Sequence, residues 1–277
     1  MKSIFAAVLI ACVVSINVTS QNSDNNSNSV YRVNKYVEIP AIGGLFVASF
    51  YGFRYLSDKG GLTQNELSSL NTKDIWWFDR WAAEQDAAKR NDFHHTSDML
   101  LNGALALPVI LGLDKGIRND WLDILVMYVE LHGINNTVYV SGASSFYRKR
   151  PFVYSDDVPL DERMAKETEN SFFSGHASTS AAAAFFAATV YSDYHPELGN
   201  KKYWLYGAAL VPPALVGYYR VRAMKHFPSD VLVGTAIGAT IGVLVPHFHR
   251  RKKESNFTWT PVAGSRMTGI TARYTFK

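Results

Sequence analysis

Beyond residue 31 the chain alternates between apolar blocks and polar, turn-rich stretches. The blocks cover residues 39–56, 99–113, 121–140, 174–191, 203–221 and 231–245. Most are the length of a globular helix and fall short of, or barely reach, the ~20 residues that cross a bilayer. In the last block Gly234, Gly238 and Gly242 recur every four residues, leaving one helix face bare for a close neighbour. The alanine run 181–184 adds a second small-residue face. Residues 74–90, with Trp76, Trp77, Phe78 and Trp81, read as helix-like and aromatic, suited to a membrane surface or a core. Past residue 257, Thr271, Arg273 and Thr275 alternate with Ala272, Tyr274 and Phe276, which is the period of a strand. No solenoid-type repeat is present. The pattern predicts an all-α protein: a helical bundle of about six core helices with a short strand-like tail.

The amino terminus follows another rule. Lys2 precedes an apolar stretch and then small polar residues, the order of a secretory signal peptide, assigned to residues 1–20. Two alternatives stand beside it: a lipid-anchored Cys12, from the lipoprotein-like run Leu9-Ile10-Ala11-Cys12, or an uncleaved anchor. Cys12 is the single cysteine, so a chain cleaved behind it has no thiol chemistry or disulfide. Residues 21–38 begin with Asn, Ser, Asp and Gln and read as a disordered spacer, 39–253 as the helical domain and 254–277 as the tail.

Composition narrows the class. Of 277 residues 47% are hydrophobic and 19% charged, below the charge content of an ordinary soluble domain. A mean hydropathy of −0.07 is too low for a chain that is mostly bilayer-spanning. A compact helical enzyme or a membrane protein with large polar loops both fit, whereas disorder and a disulfide-stapled miniprotein do not. The net charge of +4 fits anionic partners or an ordinary basic surface.

Three segments hold the polar groups of a phosphate-handling site. Arg148-Lys149-Arg150-Pro151 supplies guanidinium forks for phosphate oxygens, though such a run is more often simply solvated. Ser174-Gly175-His176 opens a block with a capping serine, a glycine that lets an anion approach the backbone, and a histidine in the first turn. Alone it is more often a capped helix with an incidental histidine. In the third segment Arg220 is followed by His226 and Asp230, with Pro228 starting a new helix. A carboxylate there accepts an imidazole proton and raises the basicity of the other ring nitrogen, or else merely caps the helix.

In order and separation these residues resemble the type 2 phosphatidic acid phosphatase and vanadium haloperoxidase superfamily. Its motifs are Lys-x6-Arg-Pro, Pro-Ser-Gly-His and Ser-Arg-x5-His-x3-Asp. The matches are Arg150-Pro151, Ser174-Gly175-His176, and Arg220 with His226 and Asp230, within a resemblance spanning residues 97–249. Three positions depart: Ala143 replaces the family lysine, Phe173 the proline and Tyr219 the serine. The resemblance implies a phosphatase acting on a phosphomonoester or pyrophosphate, one carried on a lipid such as phosphatidate, an isoprenyl diphosphate or lipid A. It makes His226 the nucleophile, Asp230 the group that holds its ring, and His176 the proton donor to the leaving oxygen. Arg150, Arg220, Ser174 and the Gly175 amide would bind phosphate oxygens. Arg148, Lys149, Arg222 and Lys225 are the candidate substitutes for the missing lysine. No cofactor, metal or nucleic acid is implied; His94-His95 and His247/His249 read as surface or interface residues. The alternatives are a vanadate-dependent haloperoxidase and an envelope phosphate-binding scaffold that lost turnover.

The basic run 249–253 suits a cytoplasmic end and puts the three motifs outside, on an exported, membrane-associated envelope protein. If a signal is removed and residues 39–56 also span, the parity reverses.

Overall fold

Uninterrupted apolar runs closed by polar or proline-bearing turns give six long helices among the described residues. A computed structural model describes residues 29–251 and the backbone of 257–264 and 267–274. The helices are α1 (Lys35–Asp58), α2 (Arg90–Ala106), α3 (Trp121–Ser145), α4 (Gly175–Tyr194), α5 (Val211–Arg222) and α6 (Pro228–His249). The tail pairs β1 (Phe257–Gly264) with β2 (Met267–Tyr274) in an antiparallel hairpin, Phe257 opposite Tyr274. The signal assigned to residues 1–20 and the spacer up to residue 28 lie outside the described residues.

Helix α4 is the axis of the body. Its start is fixed by Ser174, whose hydroxyl accepts the Ala177 amide, and its alanine-rich run is almost wholly buried. The glycine stripe of α6 lies directly against it: a side chain at Gly234, Gly238 or Gly242 would run into the carbonyls of Ser174, Ser178 and Ala182. Bare glycine faces let the two backbones meet, and dispersion along that seam replaces side-chain interdigitation. Phe186, Val190, Met127, Leu131 and Ile241 form the main core around it.

Five local expectations change. The 203–221 block divides, because Pro212 and Pro213 cannot continue the short helix Lys202–Ala209 and instead sit in the first turn of α5. Residues 74–90 form short 3-10 turns rather than a helix, and α2 begins at Arg90 instead of residue 99. The ordered body also begins before residue 39. Tyr31 is fully buried and donates its hydroxyl hydrogen bond to Asp193, and the Arg32 amide reaches the His249 carbonyl. His249 is correspondingly no surface residue, its ring being about nine-tenths buried, with a side-chain exposure of 10%.

These contacts define two ends. Residues 29–35, Asp114, Asp123, His195 and His249–Arg250 share one of them, through Lys35–Asp123, His195–Asp114 and Arg250–Asp193 ion pairs. The other end gathers the chain around Lys59, Arg148, Asn170 and His226. Between the ends the outer face is apolar: Phe46, Val47, Phe50, Val109, Leu125, Leu232 and Leu244 are all exposed. Three helices, Lys35–Asp58, Ala87–Leu113 and Pro228–His249, are long and apolar enough to cross a membrane. So large an exposed apolar belt makes the protein membrane-associated.

Candidate active site

The link between α5 and α6 is only five residues long and reverses direction at Met224, which adopts a left-handed φ of 54°. That turn directs Lys225 and His226 into a cavity of about 460 Å³, which Arg150, Gly175, His176 and Arg220 also line. The three polar segments of the sequence therefore meet in one place. Arg150 is held by its own hydrogen bonds, from Nε to the Glu167 carbonyl (3.0 Å) and from Nη1 to the Lys225 carbonyl (3.3 Å). This ties the first segment to the third.

His226 is 2% exposed, and its Nδ1 lies 2.7 Å from the carbonyl oxygen of Ser171. A carbonyl only accepts, so Nδ1 carries the proton and Nε2 keeps its lone pair. Burial, then the positive charges of Arg220 and Arg150, push the imidazole well below its ordinary pKa and keep it neutral. A neutral histidine with a fixed tautomer beside three cations has the chemistry to attack an anionic substrate.

Asp230 does not hold that ring directly, contrary to the expectation from the motif. Its carboxylate accepts the Ser171 hydroxyl (2.7 Å), the Phe227 amide (2.9 Å) and a close contact from Arg148. Ser171 thus has two tasks: its hydroxyl is anchored on Asp230 while its carbonyl orients His226. The reason is geometric. As the third residue of α6, Asp230 turns back to cap the helix start, and the chain before α4 fills the space between it and the imidazole. Ser171 carried no sequence signal, being a serine in a loop.

The structure also places Ala143 and the four cations considered in place of the lysine. Ala143 is fully buried in a cluster with Leu56 and Val140, so its position is core packing. Arg148 is drawn away to Asp230 and to Asp79 (2.6 Å), Lys149 faces Glu169 (3.7 Å), and Arg222 lies over the rings of Phe93 and Tyr218. Of the four candidate substitutes, Lys225 lines the cavity. Burial and the nearby Arg150, Arg220 and Arg90 lower its pKa to about 8, a strain that an anion would relieve. Arg220 is 4% exposed, and its Nε–H is buried without an acceptor. An unsatisfied guanidinium donor in a cationic cavity is costly unless an anion occupies it.

Ser174 is fully buried and its hydroxyl caps α4, so it shapes the cavity from behind rather than facing it. Gly175 does line the cavity, and an added Cβ would press on the Tyr139 ring at 3.0 Å.

His176 leads to a residue the sequence reading missed. Its Nε2 lies 2.9 Å from Asp98 Oδ1 on α2, and Arg220 Nη1 donates to His94 Nδ1 at 2.8 Å. His94 is therefore part of the site rather than of the surface. The available signal was its spacing: His94 and Asp98 are four residues apart, on one helical face.

Part of the chain is similar to known proteins. The PAP2 superfamily matches residues 124–254. The lipid A 1-phosphatase of Porphyromonas gingivalis is 31% identical over 130 residues, 47% of this chain and 25% of that protein; the match thus spans about a quarter of the relative's length. A transmembrane PAP2-type phosphatidylglycerolphosphate phosphatase from Bacillus subtilis superposes with a TM-score of 0.39 at 18% identity, covering 88% of this chain and 94% of that one.

Proposed function

We propose, from the match of residues 124–254 to the PAP2 superfamily, a membrane phosphatase that cleaves a lipid phosphate through a phosphohistidine on His226. The observation that carries the reading is the convergence of a neutral, tautomer-fixed His226 with Arg150, Arg220 and Lys225 on one cavity. Each cation binds and neutralises the oxygens on which charge accumulates in phosphoryl transfer.

In the first step His226 Nε2 forms a bond to phosphorus as the ester or anhydride oxygen leaves. His176, which burial and Arg220 bias toward the neutral form in the free protein, takes up a second proton with the anionic substrate and, its Nε2–H held by Asp98, gives the Nδ1 proton to the leaving oxygen. In the second step the same nitrogen takes a proton from water, which attacks phosphorus and frees His226. The presence of Lys225 in the cradle favours turnover over a scaffold that lost its lysine. The relative's lipid A 1-phosphate and the exposed apolar belt favour a substrate whose phosphate sits at a membrane surface.

The basic run that follows α6 favours the cytoplasmic side for its end, and the cavity then opens on the extracytoplasmic side. Residues 29–35 share the end of α6 that carries His249. With α1 spanning, signal removal behind residue 20 and an extracytoplasmic cavity exclude one another.

The test is phosphate release from a panel of phosphatidate, isoprenyl diphosphate, lipid A and soluble phosphomonoesters, with and without vanadate. Lipid turnover that vanadate inhibits competitively is expected. Indifference to vanadate, or turnover of none of the panel, would overturn the reading.

A further inference from the structure

At the end of the bundle opposite the cavity, three helices bring Glu38, Glu130 and His249 together. His249 Nε2 lies 3.3 Å from Glu38 Oε2 and 3.3 Å from Glu130 Oε2, and the side chains are only 16%, 14% and 10% exposed. Both of those carboxylate oxygens are buried and accept no hydrogen bond from the protein. The other imidazole nitrogen, Nδ1, donates to the Val245 carbonyl at 2.8 Å, which in the neutral ring leaves Nε2 with a lone pair facing the two oxygens.

We propose that Glu38, Glu130 and His249 form a binding site for a divalent transition-metal ion, with Zn2+ the ion best suited to these donors. Metal bonds of about 2.0–2.2 Å in a tetrahedron place neighbouring ligand atoms roughly 3.3–3.5 Å apart. That is the spacing seen, whereas a charged N–H···O bond closes to about 2.7–2.9 Å. The charge also balances: two buried carboxylates with a neutral imidazole carry −2, which a divalent ion cancels and a single imidazolium does not. A carbonyl on the far ring nitrogen is the usual way a ligating histidine is oriented. One imidazole and two carboxylates suit zinc, and the ion would tie the start of α1 and the end of α6 to α3. Its place, at the other end of the bundle from His226, gives it a structural task rather than a part in phosphate cleavage.

The experiment uses the full chain purified in detergent. Metal content is measured for the wild type, Glu130→Gln and His249→Gln, and thermal unfolding is followed after chelation with Zn2+ or Mg2+ restored. The expected result is near-stoichiometric zinc in the wild type and at least a tenfold loss in both variants. Zn2+ should raise Tm by several degrees in the wild type, Mg2+ should not, and Glu130→Gln, if it keeps a cooperative unfolding transition, should no longer respond. Equal metal content in all three proteins, or a wild-type Tm indifferent to Zn2+, would overturn the site and leave an imidazolium bridging two carboxylates.

Discussion

His226 donates an Nδ1–H hydrogen bond to the main-chain carbonyl of Ser171 at 2.7 Å, and Ser171 donates its hydroxyl hydrogen bond to Asp230 at 2.7 Å. The imidazole is therefore oriented by a backbone group, and the carboxylate acts on it at one remove. His226→Ala should abolish phosphate release while leaving the unfolding temperature nearly unchanged; retained turnover would reject the nucleophile. Ser171→Ala keeps the carbonyl and loses only the anchor, so kcat should fall by about tenfold, the worth of a hydrogen bond to a charged group. A loss as complete as that of His226→Ala would mean the hydroxyl takes part in chemistry.

Asp98 accepts from His176, so its removal should act on proton transfer. Asp98→Asn is expected to lower kcat by about 10²-fold, at the lower end of what a positioned acid contributes. The loss should be smallest for substrates with good leaving groups, which need no proton. A loss of equal size for every leaving group would place the effect in folding or binding.

Lys225 has a pKa of about 8 in the free protein, below the ordinary lysine value. Its charged form binds phosphate, is fully present below that pH, and disappears as pH rises through it. The rate kcat/KM should therefore fall above pH ~8, while kcat changes less because bound phosphate restores the proton. Lys225→Arg should remove the alkaline limb, and Lys225→Ala should raise KM at every pH. An unchanged profile in Lys225→Arg would assign the limb to another group.

Topology is open to a labelling test. With Cys12 replaced by serine, Ser57→Cys marks the cavity end and Lys201→Cys the other end. A membrane-impermeant maleimide is expected to reach Ser57→Cys in intact cells and Lys201→Cys only after permeabilisation. The reverse pattern would turn the cavity to the cytoplasm and make a cleaved signal compatible with a spanning α1.

The seam between α4 and α6 can be tested without touching the cavity. A side chain at Gly238 meets the Ser178 backbone, which cannot rotate away. Gly238→Leu should cost about 1–3 kcal/mol or more, read as a lower unfolding temperature. A neutral substitution would mean that the helices are not in backbone contact.

The sequence by itself determined the helical class and the glycine seam and singled out His176, His226, Arg150 and Arg220, which the fold brings to one cavity, because these follow from residue chemistry and spacing along a continuous chain. It equally marked Ala143 as a departure. Only the tertiary structure decided which of the four nearby cations lines the cavity, since that depends on where Met224 turns the backbone and on the carboxylates that draw Arg148 away. The same holds for Asp98, His94 and Ser171. Ser171 comes from a loop with no local signature, and the i, i+4 spacing of His94 and Asp98 marks only a shared helix face; each meets its histidine or arginine partner, far away in the chain, only when packing carries it across the fold. The relation of Tyr31 to Arg250 belongs here too: pairing between the two ends of the body is a matter of which surfaces meet, and no local pattern encodes it.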